Sequence, residues 1–288
     1  MKLPPSVTLE EPSPGYPVLV INHPAACGRL ALHGAHLMEW RPAGGHDVLY
    51  MSPRAEPEPG EARRGGVPVC WPWFGPHPAD AAKPAHGFAR RQLWQLAGAM
   101  EEGDGVTLEL ALRESAATLA EWPHRFELRL AVRLGAELEL RLLARNTDET
   151  AWTMTAVLHT YLAVEDARAA EITGLEGASY VEERLSPRSV ESSGSVRFDR
   201  EVDRAYHSSG SVRLIDHAGG REIEVLKGGS GVTVVWNPWI EKSRRLADLP
   251  ETDYLKFVCI EAANQGPDVV RLPPGREHLL WQTLRPVR

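Results

Sequence analysis

The sequence predicts an all-β protein, a large antiparallel β-sandwich with few short helices. Three observations carry that expectation. Apolar and polar residues alternate strictly through 106–114, and 126–134 repeats the pattern before a turn into 137–145, the period of a strand with one buried face. Similar short runs recur closely along the chain, separated by the pairs Gly44-Gly45, Gly219-Gly220 and Gly228-Gly229, which suit tight turns. No strand is followed regularly by a long amphipathic helix, so a parallel, helix-covered sheet is not expected.

The elements follow in order. Strands are expected at 17–21, 29–33 and 36–40. Val106, Leu108, Leu110 and Leu112 share one face of the next, and Phe126, Leu128, Leu130, Val132 and Leu134 one face of its neighbour. Gly135-Ala136 reads as a two-residue Gly-X hairpin turn into 137–145. Further strands are expected at 152–162, 211–216, 221–226, 231–237, 255–262 and 278–284. Helix signals are confined to Ser115–Glu121, stopped by Pro123, and to 239–249. No repeat, low-complexity tract or linker divides the chain, so residues 1–288 are expected to form a single domain.

Composition narrows the function. With 43% hydrophobic and 25% charged residues the chain has ample core material for a soluble protein. A formal net charge of −7 argues against nucleic acid and anionic membranes as partners; any anion site must be local. The three cysteines, Cys27, Cys70 and Cys259, are widely spaced with no CxxC, which fits a reducing, cytosolic compartment rather than a disulfide framework. The N-terminus lacks an apolar run of signal-peptide length, and nothing approaches the ~20 apolar residues of a membrane span.

Chemistry concentrates between Arg63 and Trp94. Trp71, Trp73 and Phe74 offer flat apolar faces that suit a sugar ring, and Arg64, Arg90 and Arg91 offer forked donors for hydroxyls, carboxylates or phosphates. His86-Gly87 follows a proline-rich loop, and Gly87 would let the backbone approach a ligand closely. On the 152–162 strand, Met154, Ala156, Leu158 and Leu162 share one face; Thr153, Thr155, Val157, His159 and Tyr161 share the other, semi-polar one. His159 reads either as a proton carrier near neutral pH or as a hydrogen-bonded strand histidine. Glu261 ends LKFVCIE, sharing a face with Leu255, Phe257 and Cys259. A glutamate on so apolar a strand is either paired with an arginine or a desolvated general base. Asp203 reads as a sugar-hydroxyl acceptor or a solvated loop charge, and Trp236 with Trp239 as a stacking wall or a core corner. His33-x-x-His36 lacks accompanying cysteines or carboxylates at zinc spacing, so neither a metal nor any cofactor is expected. There is no GxSxG, P-loop or GxGxxG.

Together, RGGVPVCWPWFGP at 64–76, HGFAR at 86–90, WPHRFELRL at 122–130, LHTYL at 158–162, VDRAY at 202–206, WNPWIEKS at 236–243 and VCIEAAN at 258–264 resemble the aldose 1-epimerase superfamily. The closest resemblance is to its hexose-6-phosphate mutarotase branch, the glucose-6-phosphate 1-epimerases. The blocks stand in the family's order and span most of the chain. The resemblance implies the galactose-mutarotase-like sandwich and an isomerase exchanging the α and β anomers of a hexose 6-phosphate. It implies His159 as general acid, Glu261 as general base, and Arg64, His86, Arg90 and Asp203 as substrate-binding residues, with Trp236 or another aromatic against the ring. The implied partner is a small-molecule sugar phosphate, and a monomer would suffice. One departure is Ala85, where such proteins often carry glutamine; one sugar or phosphate contact is then either missing or supplied elsewhere. Two other readings compete. A non-catalytic carbohydrate-binding protein would need no acid/base pair. A glycoside hydrolase or lyase would draw on two carboxylates, Asp203 and Glu261.

Overall fold

The structure is a computed structural model that describes residues 2–182 and 186–287, with 186–190 described as backbone. Its strands form three main antiparallel sheets. Four strands near the N-terminus, Val7–Glu10, Val18–His23, Ala26–Ala31 and His36–Pro42, make a meander. A nine-stranded sheet contains the predicted alternating strands, Gly105–Arg113, Phe126–Gly135 and Leu138–Asn146, followed in the ladder by Glu277–Val287 and Arg221–Gly228. An eight-stranded sheet runs, at its centre, through Val202–His207, Val232–Asn237, Phe257–Asn264 and Ala156–Leu158. The all-β sandwich expected from the alternation is the architecture found.

Alternation explains which face goes where. Val106, Leu108, Leu110, Phe126, Leu128, Leu130, Val132 and Leu134 are all buried in one apolar cluster with Leu19, Leu30, Trp40 and Trp71. The same cluster takes Val258, Ile260 and Ala262 from the eight-stranded sheet. The opposite face of that strand, carrying Phe257, Cys259 and Ala263, packs in a second cluster with Val234, Trp236 and Tyr161. Burial of a Leu or Val side chain contributes roughly 1.5–3 kcal/mol, so a register slip on either strand would be costly.

Some local expectations differ from the structure. The 126–135/138–146 hairpin turns on Ala136 and Glu137 rather than on Gly135-Ala136, since Gly135 ends the first strand, and Gly135 donates its N–H to the Glu137 carbonyl. Glycine's access to positive φ is not used there. The 152–162 segment is split into Trp152–Met154, Ala156–Leu158 and Tyr161–Ala163, because its N-terminal part pairs with Val270–Leu272 and the rest with Phe257–Asn264. Leu255 lies in a 3₁₀ turn, Asp253–Leu255, and only from Phe257 does the chain enter the strand. The helix over Ala116–Glu121 forms with a Ser115/Thr118 capping box, whereas the second is short, Trp239–Ser243. All three cysteines are free, and among the described residues no helix is long and apolar enough to cross a membrane.

Candidate active site

The outer face of the eight-stranded sheet holds a cavity of about 380 Å³. The seven residues to which catalytic or substrate-binding roles were assigned all line it: Arg64, His86, Arg90, His159, Asp203, Trp236 and Glu261. The ladder explains why its centre forms. Leu158 pairs with Ala262 and Tyr161 with Cys259, which brackets His159 directly opposite Glu261. Opposed side chains on neighbouring strands meet, and here His159 Nδ1 lies 3.3 Å from Glu261 Oε1. The ladder is locally interrupted: the His159 N–H donates to the Pro68 carbonyl at 3.1 Å, while the Ile260 N–H returns to the Thr160 carbonyl at 3.2 Å.

Glu261 is 1% exposed and His159 8%. Neither carboxylate oxygen of Glu261, nor His159 Nδ1, has a properly directed hydrogen bond. The 3.3 Å contact is therefore close in distance but poorly aligned. Such buried, unpaired atoms call for a reason; here they are lone pairs facing a cavity of sugar size. Burial pushes the Glu261 carboxyl well above its ordinary range, with Asp203 adding to the effect. Burial likewise pushes His159 well below its ordinary value, reinforced by His86, Arg90 and Arg64. Both directions favour neutral side chains, so the pair holds one proton, which sits on the carboxyl or crosses to the imidazole.

The floor beneath the pair was not anticipated. Thr160 donates its hydroxyl to Gln282 Oε1, and Gln282 Nε2 donates to the Ile260 carbonyl at 3.0 Å. Thr160 and Gln282 are fully buried. A single amide from the nine-stranded sheet thus ties down the residues adjoining His159 and Glu261. Nothing in the sequence marks Gln282 except its place on an alternating strand.

The walls come from loops pressed tightly together. Gly65 has φ +111° and Gly66 +59°, and a Cβ on Gly66 would lie 2.2 Å from the Leu37 carbonyl oxygen. This close approach positions Arg64, whose Nε donates to Asp248 Oδ1 at 2.8 Å and whose Nη1 donates to the Tyr161 hydroxyl at 3.2 Å. Tyr161 stacks flat on His159, centroids 4.8 Å apart. His86 adopts φ +65°, an unusual backbone for a non-glycine residue. Its Nδ1 accepts the Gly75 N–H at 3.2 Å, and burial beside Arg90, Arg64 and Lys242 pushes its pKa down to about 3. It is therefore a neutral ring whose proton resides on Nε2.

Gly87 serves a different purpose from the one expected. At φ +70° its backbone presses on its own chain: a Cβ there would lie 2.0 Å from the Trp71 carbonyl oxygen. Gly87→Ala is expected to lose on the order of 3 kcal/mol or more of stability, measured as a fall in Tm and in the denaturant midpoint. A melting curve indistinguishable from the parent's would refute that role.

The aromatic expectations are partly corrected. Trp71 and Trp73 belong to the core, their indole N–H groups donating to Met154 Sδ and to the Pro84 carbonyl; their bulk is what the interior of the sandwich needs. Phe74 and Trp236 remain at the cavity, and Phe74 lies 6.3 Å from His159 between ring centroids. One face of Trp236 is already covered by the Lys242 ammonium, 5.4 Å from the ring centroid. Arg91 turns away to the Gly60 carbonyl and Glu61. Lys242, Tyr161 and Gln265 line the cavity without having been singled out. Two of them lie in blocks already quoted, WNPWIEKS and LHTYL.

The cations differ in how they are balanced. Arg64 pairs with Asp248, and Lys242 pairs with Glu201 at 3.0 Å and Asp203 at 3.1 Å. Among the described residues, Arg90 has no carboxylate partner: Nη2 donates to the Ala85 carbonyl at 2.9 Å, and the buried Nε is unpaired. Position 85, where a glutamine side chain was missed, thus contributes through its backbone.

The family model for aldose 1-epimerase matches residues 17–285. The chain belongs to the aldose 1-epimerase family. It is similar to a protein of Escherichia coli K12 named "putative glucose-6-phosphate 1-epimerase", 38% identical over 247 residues covering 85% of this chain and 82% of that one. A protein of Cenchrus ciliaris with the same name is 33% identical over 263 residues, 87% of this chain and 78% of that one. Among solved structures, one titled a putative mutarotase, from Salmonella typhimurium, superposes with a TM-score of 0.93 at 31% identity, covering 100% of this chain and 95% of that one. Galactose 1-epimerase from Lactobacillus acidophilus shares the fold, with a TM-score of 0.76 at 13% identity and 99% coverage of both chains. This aldose 1-epimerase family member is thus an enzyme of the mutarotase type, built on the galactose-mutarotase-like sandwich.

Proposed function

We propose that the enzyme exchanges the α and β anomers of a hexose 6-phosphate, with glucose 6-phosphate the preferred candidate. The one observation that carries the reading is the buried His159–Glu261 pair, with unpaired lone pairs, facing a cavity that also holds an arginine with no carboxylate partner among the described residues. The names of the relatives support the phosphate, since those proteins are named for glucose 6-phosphate.

The chemistry is that of a hemiacetal. Glu261, as carboxylate, takes the proton of the C1 hydroxyl while His159, protonated, gives one to the ring oxygen. The ring opens to an aldehyde, the C1–C2 bond rotates, and closure on the other carbonyl face reverses both transfers. Ring opening therefore converts an ion pair into a neutral pair, and closure converts it back. Burial favours the neutral pair, and the 3.3 Å separation favours the ion pair. Each side of the reaction thus has a matching protonation state of the same two residues. His86 donates Nε2–H, Asp203 accepts hydroxyl protons, Trp236 and Phe74 supply apolar contact, and Arg64 with Arg90 holds the phosphate by charge-assisted bonds.

Saturation-transfer NMR of anomer exchange, run on glucose 6-phosphate beside free glucose, tests the reading. Enzyme-dependent exchange with preference for the phosphorylated sugar is expected. Exchange of free glucose alone would overturn the phosphate assignment, and exchange of neither sugar would overturn the glucose-based reading.

A further inference from the structure

We propose that His159, Cys259 and Glu261 form a binding site for a thiophilic divalent cation of the Zn²⁺ type, and that filling it stops anomer exchange. Cys259 and Glu261 are two apart on one strand and so share a face, and His159 stands opposite on the neighbouring strand. One ligand atom from each, imidazole nitrogen, thiol sulfur and carboxylate oxygen, lies within 4.8 Å of the others. Bond lengths of about 2.0–2.3 Å imply donor separations of roughly 3.3–3.8 Å around a tetrahedral zinc, so a small inward adjustment closes the set. Within this group, His159 Nδ1 and both Glu261 oxygens are buried without a hydrogen bond. Such lone pairs are free for a cation. The fourth coordination position would open on the cavity, as in zinc sites that keep water there.

A sulfur, nitrogen and oxygen donor set selects Zn²⁺, Cd²⁺ or Co²⁺ over Mg²⁺ and Ca²⁺. The thiolate and carboxylate together neutralise the ion, which matters in a cavity also lined by the cations Arg64, Arg90 and Lys242, with Asp203 as the added anion. Binding expels the thiol proton and the proton shared by the pair. Inhibition is the part that rests on the catalytic reading: with their lone pairs on a metal, neither His159 nor Glu261 can take up or release a proton.

Co²⁺ serves as the optical probe. Cys27 is exposed, so titrations use a Cys27→Ser background. Thiolate-to-cobalt absorption is expected there, displaced by Zn²⁺, with Zn²⁺ also suppressing anomer exchange. Cys259→Ser in that background is expected to keep exchange without metal, to lose the absorption, and to need about tenfold or more Zn²⁺ for the same inhibition, the scale seen when a metal site's support is removed. An unchanged spectrum and unchanged zinc sensitivity in Cys259→Ser would overturn the site, as would absence of the band in the background chain. If Cys259→Ser does not fold, Glu261→Gln decides, because it must weaken cobalt binding comparably while remaining folded. Cobalt bound at Cys259 with exchange unaffected would leave the metal site standing and remove the pair from catalysis. Zinc inhibition undiminished in Cys259→Ser would do the reverse.

Discussion

Glu261→Gln and His159→Ala chains are each expected to lose catalysed anomer exchange by about 10²–10⁴-fold, the contribution of a positioned acid or base. The residual rate will approach that of the sugar in buffer. Glutamine matches the shape of glutamate but cannot take a proton, so Glu261→Gln isolates the chemistry. It is also expected to fold at least as well as the parent. A carboxyl whose pKa is raised by burial binds its proton more tightly folded than unfolded, so its contribution to stability falls as pH rises above the ordinary value of 4.5. Removing the group removes that penalty. The Tm advantage of Glu261→Gln should therefore be small near pH 4.5 and grow toward neutral pH. Loss of exchange with a Tm equal to or above the parent's at pH 7 is the expected pair of results. Full exchange in either variant would dismiss the assignment.

The same shifts set a pH window. Activity needs one proton on the pair. Adding a second leaves no base, and because burial holds His159 well below 6.5, that loss occurs on the acid side of the ordinary imidazole range. Removing the last proton leaves no acid, and because Glu261 is held well above 4.5, that loss occurs on the alkaline side of the ordinary carboxylate range. The profile of exchange rate against pH is thus expected to be bell-shaped, with its acid limb below 6.5 and its alkaline limb above 4.5. An acid limb at or above 6.5, or an alkaline limb at or below 4.5, would contradict the shifts.

Where the sequence was legible, one physical signal dominated. Strict alternation located the strands 105–113, 126–135 and 138–146 because only one of their faces is apolar. The same period correctly split Val258, Ile260 and Ala262 from Phe257, Cys259 and Glu261. Strands such as Val202–His207 and Ser179–Glu182 were missed because polar side chains interrupt that pattern. The site residues could be singled out from their blocks, but not their contacts. That Arg64 and Lys242 are already matched by carboxylates, while Arg90 is not, depends on Asp248 and Glu201, distant or unremarked positions in the chain. Aromatic content misled for the opposite reason: Trp71 and Trp73 look available in a proline-rich loop, yet the loop folds inward and the sandwich takes their rings.

Arg90→Ala is expected to separate phosphate recognition from ring chemistry. Arg64 donates into Asp248 and Tyr161, so an incoming phosphate gains less new charge balance from it. Among the described residues Arg90 has a backbone carbonyl at 2.9 Å and no carboxylate, with Nε buried and unpaired. A phosphate would gain that guanidinium's charge without displacing an existing ion pair. Hydrogen bonds to charged groups contribute roughly 1.5–3 kcal/mol, and 1.4 kcal/mol is about a factor of ten. Arg90→Ala should therefore raise the KM for glucose 6-phosphate by about ten- to a hundredfold or more, with kcat less affected because His159 and Glu261 remain. Exchange of free glucose, which offers no phosphate, should change little. Arg64→Ala is expected to be less selective, since it frees Asp248 near the cavity and removes the donor to Tyr161, the residue stacked on His159. Rising salt should weaken glucose 6-phosphate binding to the parent more than to Arg90→Ala, because part of the attraction is Coulombic. If Arg90→Ala lowers exchange of both sugars equally, Arg90 supports the cavity wall and the phosphate is held elsewhere.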